Sequence, residues 1–183
     1  LGVPVWVNIE NSVAAMAVAR LVGATEEELR HGVSSFAGVF RRFNIHVNTP
    51  QITYIDDYAH HPQELAATIE SVRRLYPDKY VIGVFQPHLF SRTRDFADAF
   101  AEVLSQLDEV ALLPIYPARE QPIEGVNSEW LMDKIIVKRA LVLPTILPKY
   151  LRERVKNCLA ANRQVVVITM GAGDIDRLVN EIT

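Results

Sequence analysis

The stretch ITYIDDYAHHPQELAATIESVRRL, residues 52–75, decides the fold because it holds a strand, a polar turn and a helix in succession. Residues 52–55 are apolar or β-branched, which is typical of a strand. Pro62 stands where a helix can begin, since proline is favoured in the first turn, and we predict a helix over Pro62–Leu75. The same order recurs downstream, with further strands predicted over Tyr80–Phe85, residues 110–113 and residues 164–169.

Helices are expected between and after these strands, and shorter elements complete the pattern. Alternation of strands and helices implies a mostly parallel sheet with helices on both faces, so the predicted fold class is α/β, Rossmann-like. The further helices are predicted over residues 93–107, 128–135, 148–161 and 173–182, and the further strands over residues 43–47 and 140–143.

Two helices precede the predicted sheet. The first is expected over residues 11–22, and the second begins at Thr25, which forms a capping box with Glu28. They look like the edge of another domain. We therefore predict two units, residues 1–40 and residues 41–183.

The composition restricts the class of protein. The chain has 183 residues, 49% of them hydrophobic, and a formal net charge of -3, so it can bury a core and lacks the basic excess of a nucleic-acid protein. The single cysteine, Cys158, excludes an internal disulfide and fits a cytoplasmic location. The apolar runs are too short to span a membrane, so no membrane partner is expected. The chain begins at Leu1, in mid-pattern, as a piece of a longer protein would.

Polar or glycine-rich segments follow four of the predicted strands. Ligands of parallel sheets bind at the carboxyl ends of the strands, so these segments predict a site at one edge of the sheet. The residues concerned are Asp56, Asp57, Tyr58, His60 and His61 after the first strand, Gln86, His88, Ser91, Arg92 and Arg94 after the second, Tyr116, Arg119 and Glu120 after the third, and Gly171 to Asp174 after the last.

Composition alone leaves two interpretations of Asp57 and the histidines open. The carboxylate could accept hydrogen bonds from ribose hydroxyls, with a histidine near the reacting groups. Alternatively, Asp57 or a histidine could cap the helix that begins at Pro62. Metal ligation by His60 and His61 together is not expected, because adjacent side chains in an extended turn point in different directions.

The remaining motifs are two arginine segments and a glycine-rich run, and their charge and position predict their roles. Arg92 and Arg94 open a predicted helix, where cations oppose the helix dipole unless an anion is bound. This favours a phosphate or carboxylate site over the alternative, a solvated pair of arginines of which Asp95 offsets one. Arg42 lies at the predicted boundary, as part of a charged linker or as a phosphate contact during domain closure. The GAG run at residues 171–173 fits a tight turn, and the sequence contains no GxxxxGK[ST] phosphate loop.

Two long motifs resemble those of the Mur ligase family. DDYAHHPQE, residues 56–64, is similar to the family's DDYxHHPxE, and FQPHLFSRTRD, residues 85–95, to its FQPHxxSRTRD. Val7 and Leu89 depart from the family, which has His and often Arg at these positions. Three shorter segments extend the resemblance over nearly the whole chain: NIEN at residues 8–11, GVFRRF at 38–43 and TMGAGD at 169–174.

The resemblance implies an ATP-dependent amide-bond ligase of peptidoglycan synthesis. Residues 1–40 would be the last helices of its central ATP-binding domain, and residues 41–183 its C-terminal domain. ATP phosphorylates a substrate carboxylate in this family, and an amino acid's amine attacks the acyl phosphate. The double histidine and the Gln-Pro-His run imply UDP-N-acetylmuramate and L-alanine as substrates, with Mg²⁺ ligands mainly on the missing domain.

The resemblance also implies roles for individual residues. Asn8, Arg42 and Asp57 match nucleotide-binding positions, and Tyr58, His60 and Arg92 match those that hold alanine and the reacting carboxylate. His60 and Arg92 are the catalytic candidates. Without a phosphate loop the chain alone should not turn over. A recycling ligase that attaches a tripeptide to the same sugar, and a non-catalytic nucleotide-binding module, remain as alternatives.

Overall fold

A computed structural model of the chain describes the backbone of residues 6–182 and the side chains of residues 8–182. Within that part, six strands form one sheet: β1 (Asn44–Asn48), β2 (Ile52–Asp57), β3 (Tyr80–Phe85), β4 (Glu109–Leu112), β5 (Lys138–Leu141) and β6 (Val165–Met170). Their order across the sheet is β1-β2-β6-β3-β4-β5. Only the pair of β1 and β2 is antiparallel, so the predicted mostly parallel sheet is confirmed.

Helices cover both faces of the sheet, as predicted. One face packs against α3, α5 and α6, and the other against α7 and α8. The helices are α1 (Trp6–Leu21), α2 (Glu26–Ser35), α3 (Pro62–Leu75), α4 (Phe90–Asp95), α5 (Ala97–Leu104), α6 (Ser128–Met132), α7 (Leu147–Ala160) and α8 (Val179–Ile182), with 3₁₀ turns over Pro144–Ile146 and Asp174–Leu178.

The sequence explains why the central elements form. Every residue of β6 is buried, as expected for a strand with neighbours on both sides and helices on both faces. In α3, Leu65, Ile69 and Val72 are spaced by about one helical turn and are buried against the sheet. Because β6 lies between β2 and β3, the loops that follow β2, β6, β3 and β4 lie side by side at one edge.

Two of the predicted helices are interrupted in the structure, and two others differ in their bounds: the helix predicted over residues 11–22 begins earlier, and the one predicted over residues 128–135 ends at Met132. The helix expected over residues 93–107 begins earlier, at Phe90, and breaks at Phe96, whose φ of -116° and ψ of 17° are not helical. This break lets α4 lie over the loops while α5 buries its apolar side against the sheet. The helix expected over residues 173–182 is a 3₁₀ turn followed by the short α8. Its start is held by the side chain of Gln86, which accepts a hydrogen bond from the Ile175 N–H.

The first two helices differ from the rest of the fold. They pack against each other, and α1 also contacts α3. None of the side chains of residues 8–40 is buried. The predicted division into residues 1–40 and 41–183 stays a prediction. Residues 1–5 of the first predicted unit lie outside the part that the structure describes. Between residues 6 and 182, no helix has both the length and the apolarity needed to cross a membrane.

Candidate active site

Four aromatic rings form a row along the carboxyl edge of the sheet. The Tyr58 and His60 ring centroids are 5.2 Å apart, those of His60 and His88 6.0 Å, and those of His88 and Tyr116 5.6 Å. The row runs from the loop after β2 to the loop after β4. The predicted meeting of strand-end loops is therefore confirmed for these three loops.

Asp57, at the end of β2, is buried, and each of its carboxylate oxygens accepts one backbone hydrogen bond. Its two carboxylate oxygens accept hydrogen bonds from the N–H groups of Phe43 (2.7 Å) and Ala59 (2.8 Å). Burial raises the pKa of this carboxyl, although these hydrogen bonds and the charge of Arg42 act in the opposite direction. Asp57 is thus not the cap of α3. The N-cap position belongs to His61, whose backbone N–H, together with that of His60, is accepted by Glu64.

His60 is held in one orientation by its Nδ1 atom. That nitrogen lies 3.0 Å from the Tyr58 carbonyl oxygen and 3.2 Å from Glu64 Oε2. Because both neighbours accept hydrogen bonds, Nδ1 carries the proton, and Nε2 is the nitrogen that can exchange a proton with a ligand. Although burial raises the pKa of Glu64, the His60 and His61 N–H groups and the His60 ring hold it below its usual value.

Arg92 reaches into the row from α4. Its Nη1 lies 3.5 Å from His88 Nδ1. Burial, and then the neighbouring Arg92, lowers the pKa of His88, which favours the neutral ring that can accept from the guanidinium. Arg94, two residues further on, is instead exposed and bound to Asp95 at 2.8 Å. Of the two arginines predicted to bind an anion, only Arg92 is therefore directed at the row.

Glycines let the last turn approach its neighbours. A Cβ on Gly173 would lie 2.4 Å from Gln86 Oε1 and 2.8 Å from Tyr116 Cβ. Gly171 has a φ of 147°, and its Cβ would meet the Gln86 carbonyl oxygen at 2.9 Å. The Gln86 amide in turn donates to Asp174 at 2.8 Å. The GAG run is thus a close-packed turn, as its sequence indicated.

The predicted nucleotide-binding residues meet in a separate cavity. Asn8, Arg42 and Asp57 line one pocket of about 130 Å³ next to the start of α3. Arg42 is exposed, and its Cζ lies 5.4 Å from the centre of the Tyr58 ring. The structure therefore brings three of the six predicted site residues into this cavity and places Tyr58, His60 and Arg92 along the neighbouring row. The side chain of Val7 is outside the described part.

Sequence reasoning assigned no role to His88 or Tyr116. His88 lies between His60 and Arg92, and Tyr116 stacks on it while its backbone pairs with the loop after β3. Both were among the polar residues that follow predicted strands, so their position was a usable signal. Their contacts depend on how β3 and β4 are aligned, which the sequence does not give.

The histidines and carboxylates of the described part were compared with the arrangement that a metal ion requires. Among the side chains of residues 8–182, no group of three or more His, Cys, Asp or Glu residues is arranged to hold a metal ion. His60 and His61 also point to different neighbours, the former to Glu64 and the latter to the ring of Phe96.

Fold and site together define a class: an α/β domain whose parallel strands end in a row of aromatic rings and an arginine, beside a small cavity with a buried carboxylate. Residues 41–173 match the family described as Mur ligase, glutamate ligase domain. The chain belongs to the Mur ligase family, and the resemblance of its two long motifs is confirmed.

Individual relatives agree with this assignment. The chain is 51% identical to the UDP-N-acetylmuramate–L-alanine ligase of Parabacteroides distasonis over all of its length, and 53% identical to that of Porphyromonas gingivalis over 98% of it. It spans 38% of the length of each of these relatives. The crystal structure of UDP-N-acetylmuramate-alanine ligase from Thermotoga maritima has the same fold, with a TM-score of 0.75 and 24% identity over 98% of this chain and 37% of that one.

Proposed function

We propose that this chain is the part of an ADP-forming ligase that binds L-alanine and closes over ATP, in an enzyme that joins L-alanine to UDP-N-acetylmuramate for peptidoglycan synthesis. The observation that supports this most directly is the row Tyr58, His60 and His88 with Arg92, lying beside the cavity of Asn8, Arg42 and Asp57. An amino-acid site and a nucleotide site would then be neighbours, as transfer of an acyl phosphate to an amine requires.

In the proposed reaction, ATP first phosphorylates the carboxylate of UDP-N-acetylmuramate. The amine of alanine then attacks the carbonyl carbon, so that a C–N bond forms, the C–O bond to phosphate breaks, and a proton leaves the nitrogen. His60 Nε2 would accept that proton, because Nδ1 is already protonated and bound to the Tyr58 carbonyl. The fork of Arg92 would pair with the carboxylate of alanine and stabilise negative charge near the reacting atoms.

Nucleotide contacts would come from the cavity. We assign Asn8 to adenine, Arg42 to the phosphates or adjacent groups of ATP, and Asp57 to the ribose hydroxyls. Asp57 suits this task because the two backbone N–H groups leave one further acceptor position on each of its oxygens. Magnesium would neutralise phosphate charge, but its ligands are expected on the portion of the enzyme that precedes this chain.

The division of labour follows from the same proposal. Residues 1–40 would be the last helices of the central ATP-binding domain, and residues 41–183 the closing domain. The sequence has no phosphate loop, so we expect no turnover by this chain alone. We place the enzyme in the cytoplasm, which agrees with a single, buried cysteine.

The test uses the full-length protein that contains this chain. With ATP, Mg²⁺ and UDP-N-acetylmuramate, ADP release should require L-alanine. No alanine-dependent ADP release would refute the proposal. Replacement of alanine by the recycled tripeptide distinguishes the proposed ligase from a recycling ligase. A recycling ligase would release ADP with the peptide and little with alanine.

A non-catalytic nucleotide-binding module predicts a different result. Such a module would bind ATP tightly as the isolated chain, because its site would be complete. The proposed enzyme predicts weak binding, since the cavity of Asn8, Arg42 and Asp57 supplies only one side of the site. Calorimetric titration of the 183-residue chain with ATP distinguishes the two.

A further inference from the structure

Arg41 has no role in the proposed chemistry, yet it is among the most heavily contacted charged side chains near the site. It is only 6% exposed. Its Nε donates to Asp56 at 3.2 Å, its Nη2 donates to the Gly171 carbonyl oxygen, and its Nη1 lies 3.7 Å from Asp176. A single guanidinium thus joins the ends of β2 and β6 to the turn that follows.

Arg41 contacts both the backbone and the ring of Tyr58. The Arg41 carbonyl oxygen accepts the Tyr58 N–H at 2.7 Å, and the Arg41 Cζ lies 5.2 Å from the centre of the Tyr58 ring. The exposed Arg42 approaches that ring at 5.4 Å. An arginine near an aromatic ring is attracted to its face, so these contacts fix the ring as well as the backbone.

The backbone around Arg41 is held in an uncommon conformation. Arg41 has a φ of 58° and Phe43 a φ of 51°, in the left-handed region that residues with a Cβ seldom occupy. The Phe43 N–H is also bound by Asp57. Such a conformation persists only where several surrounding contacts hold it in place. Here those contacts are made with Asp57 and Tyr58, the first two residues of the site.

We propose that Arg41 is a positioning residue, which fixes the ring of Tyr58 for binding of the amino acid and turns the neighbouring Arg42 toward the nucleotide cavity. This inference rests on the proposed function, because it gives Tyr58 a place in the alanine site. Arg41 itself touches no substrate. It acts through Tyr58, so substitution of Arg41 should weaken the binding of alanine.

A double-mutant cycle in the full-length ligase tests this. Arg41→Lys keeps a buried charge next to Asp56 but removes the planar group that faces Tyr58, and it should raise the KM for alanine by about tenfold with kcat reduced less than about threefold. In a Tyr58→Ala background the same substitution should add almost nothing. Equal effects of Arg41→Lys in both backgrounds would overturn the proposal.

A matched control separates positioning from loss of stability. Arg154 is also paired with a buried carboxylate, donating to Glu109 through two nitrogens at 2.6 Å, but it lies at the opposite end of the sheet. Arg154→Lys should lower the unfolding temperature without changing the KM for alanine. If Arg41→Lys does not fold, the double variant Arg41→Gln with Asp56→Asn removes both charges and is carried through the same cycle.

A spectroscopic measurement does not depend on activity. The 183-residue chain labelled with 3-fluorotyrosine gives a fluorine resonance for Tyr58, assigned by its absence in Tyr58→Phe. Arg41→Lys should shift that resonance and Arg154→Lys should leave it in place. An unmoved resonance in Arg41→Lys would contradict the positioning of Tyr58. A moved resonance, together with no alanine-dependent ADP release by the unsubstituted full-length protein, would contradict the proposed function alone.

Discussion

Arg92 and Arg94 are two residues apart on α4, and only their surroundings distinguish them. Arg92 lies against the neutral ring of His88, while Arg94 is exposed and bound to Asp95. Substitution Arg92→Lys in the full-length ligase should raise the KM for alanine at least about tenfold, because an ammonium cannot form the forked pair with a carboxylate. Arg94→Lys is the control and should change KM less than about twofold. Steady-state ADP release at varied alanine concentration measures both, and equal effects would remove Arg92 from the site.

Gly173 is a residue whose missing side chain matters. Alanine there would place a Cβ 2.4 Å from Gln86 Oε1 and 2.8 Å from Tyr116, both of which support the site. Gly173→Ala should destabilise the chain by about 1–3 kcal/mol, since the turn and its neighbours must move apart.

The control for Gly173 is a glycine without neighbours. Gly32 lies within α2, and a Cβ added there would meet nothing within 4 Å. Gly32→Ala should stabilise the chain by up to about 1 kcal/mol through the greater helix propensity of alanine. Urea unfolding of both variants decides the matter, and a neutral Gly173→Ala would show that the turn is loosely packed.

At the scale of elements, alternation and capping residues predicted most of the fold. Pro62 correctly predicted the start of α3, and the apolar run near residue 165 correctly predicted the strand β6, though not its central position. The break between α4 and α5 was missed because residues 93–107 were predicted as one helix, and it is tertiary packing that turns the chain at Phe96. The row of rings was missed for a similar reason: contact between His88 and Tyr116 requires the alignment of two strands.

The attachment of α7 to the sheet depends on a buried carboxylate, Glu109, the first residue of β4. It accepts hydrogen bonds from Tyr150 and Arg154 of α7. Although burial raises the pKa of Glu109, these partners and the charge of Lys138 hold it below its usual value. The charged form is therefore the one that stabilises the fold.

Glu109→Gln should cost about 3 kcal/mol at pH 7, because it leaves Arg154 without its partner. A carboxyl whose folded pKa is depressed contributes stability above its unfolded pKa, and that contribution is lost as the pH falls through the lower folded pKa. The difference between wild type and variant should therefore shrink as the pH falls from 7 to below the usual range of a glutamate. A difference that stays constant over this range would contradict the assignment. Glu70→Gln, in an exposed pair with Arg74, should show little change at any pH.

At the scale of the whole molecule, the two predicted half-sites lie in one continuous structure. Asp57 and Tyr58 are adjacent in the chain, yet the first faces the cavity with Asn8 and Arg42, and the second begins the row that leads to His60. The cavity is bounded on one side by α1, and from residue 8 onward no α1 side chain is fully buried. A closed nucleotide site would therefore need a surface that covers α1 and α2.

The exposed apolar side chains of α1 and of the segments that follow α1 and α2 indicate where that cover lies. Leu21 is 87% exposed, and Val18, Val22 and Phe40 are more than half exposed. A groove of about 600 Å³ between α1 and α2, lined in part by Met16, Phe36 and Val39, adds to the apolar surface of these helices. Exposed apolar surface of this extent is typical of an interface. We expect the 183-residue chain to bind an apolar fluorescent dye, and the full-length protein to bind much less of it.

A single substitution on each side of the molecule tests the location of this surface. Leu21→Ser should reduce dye binding by the isolated chain and should lower the stability of the full-length protein, where the leucine is expected to be covered. Ile136, next to β5, is equally exposed at 85% but lies outside α1 and α2, so Ile136→Ser should change neither quantity appreciably. Dye fluorescence and thermal unfolding of both proteins give the comparison. If Leu21→Ser and Ile136→Ser behave alike in the full-length protein, the apolar side of α1 is not where the rest of the ligase packs, and the nucleotide cavity must be closed from another direction.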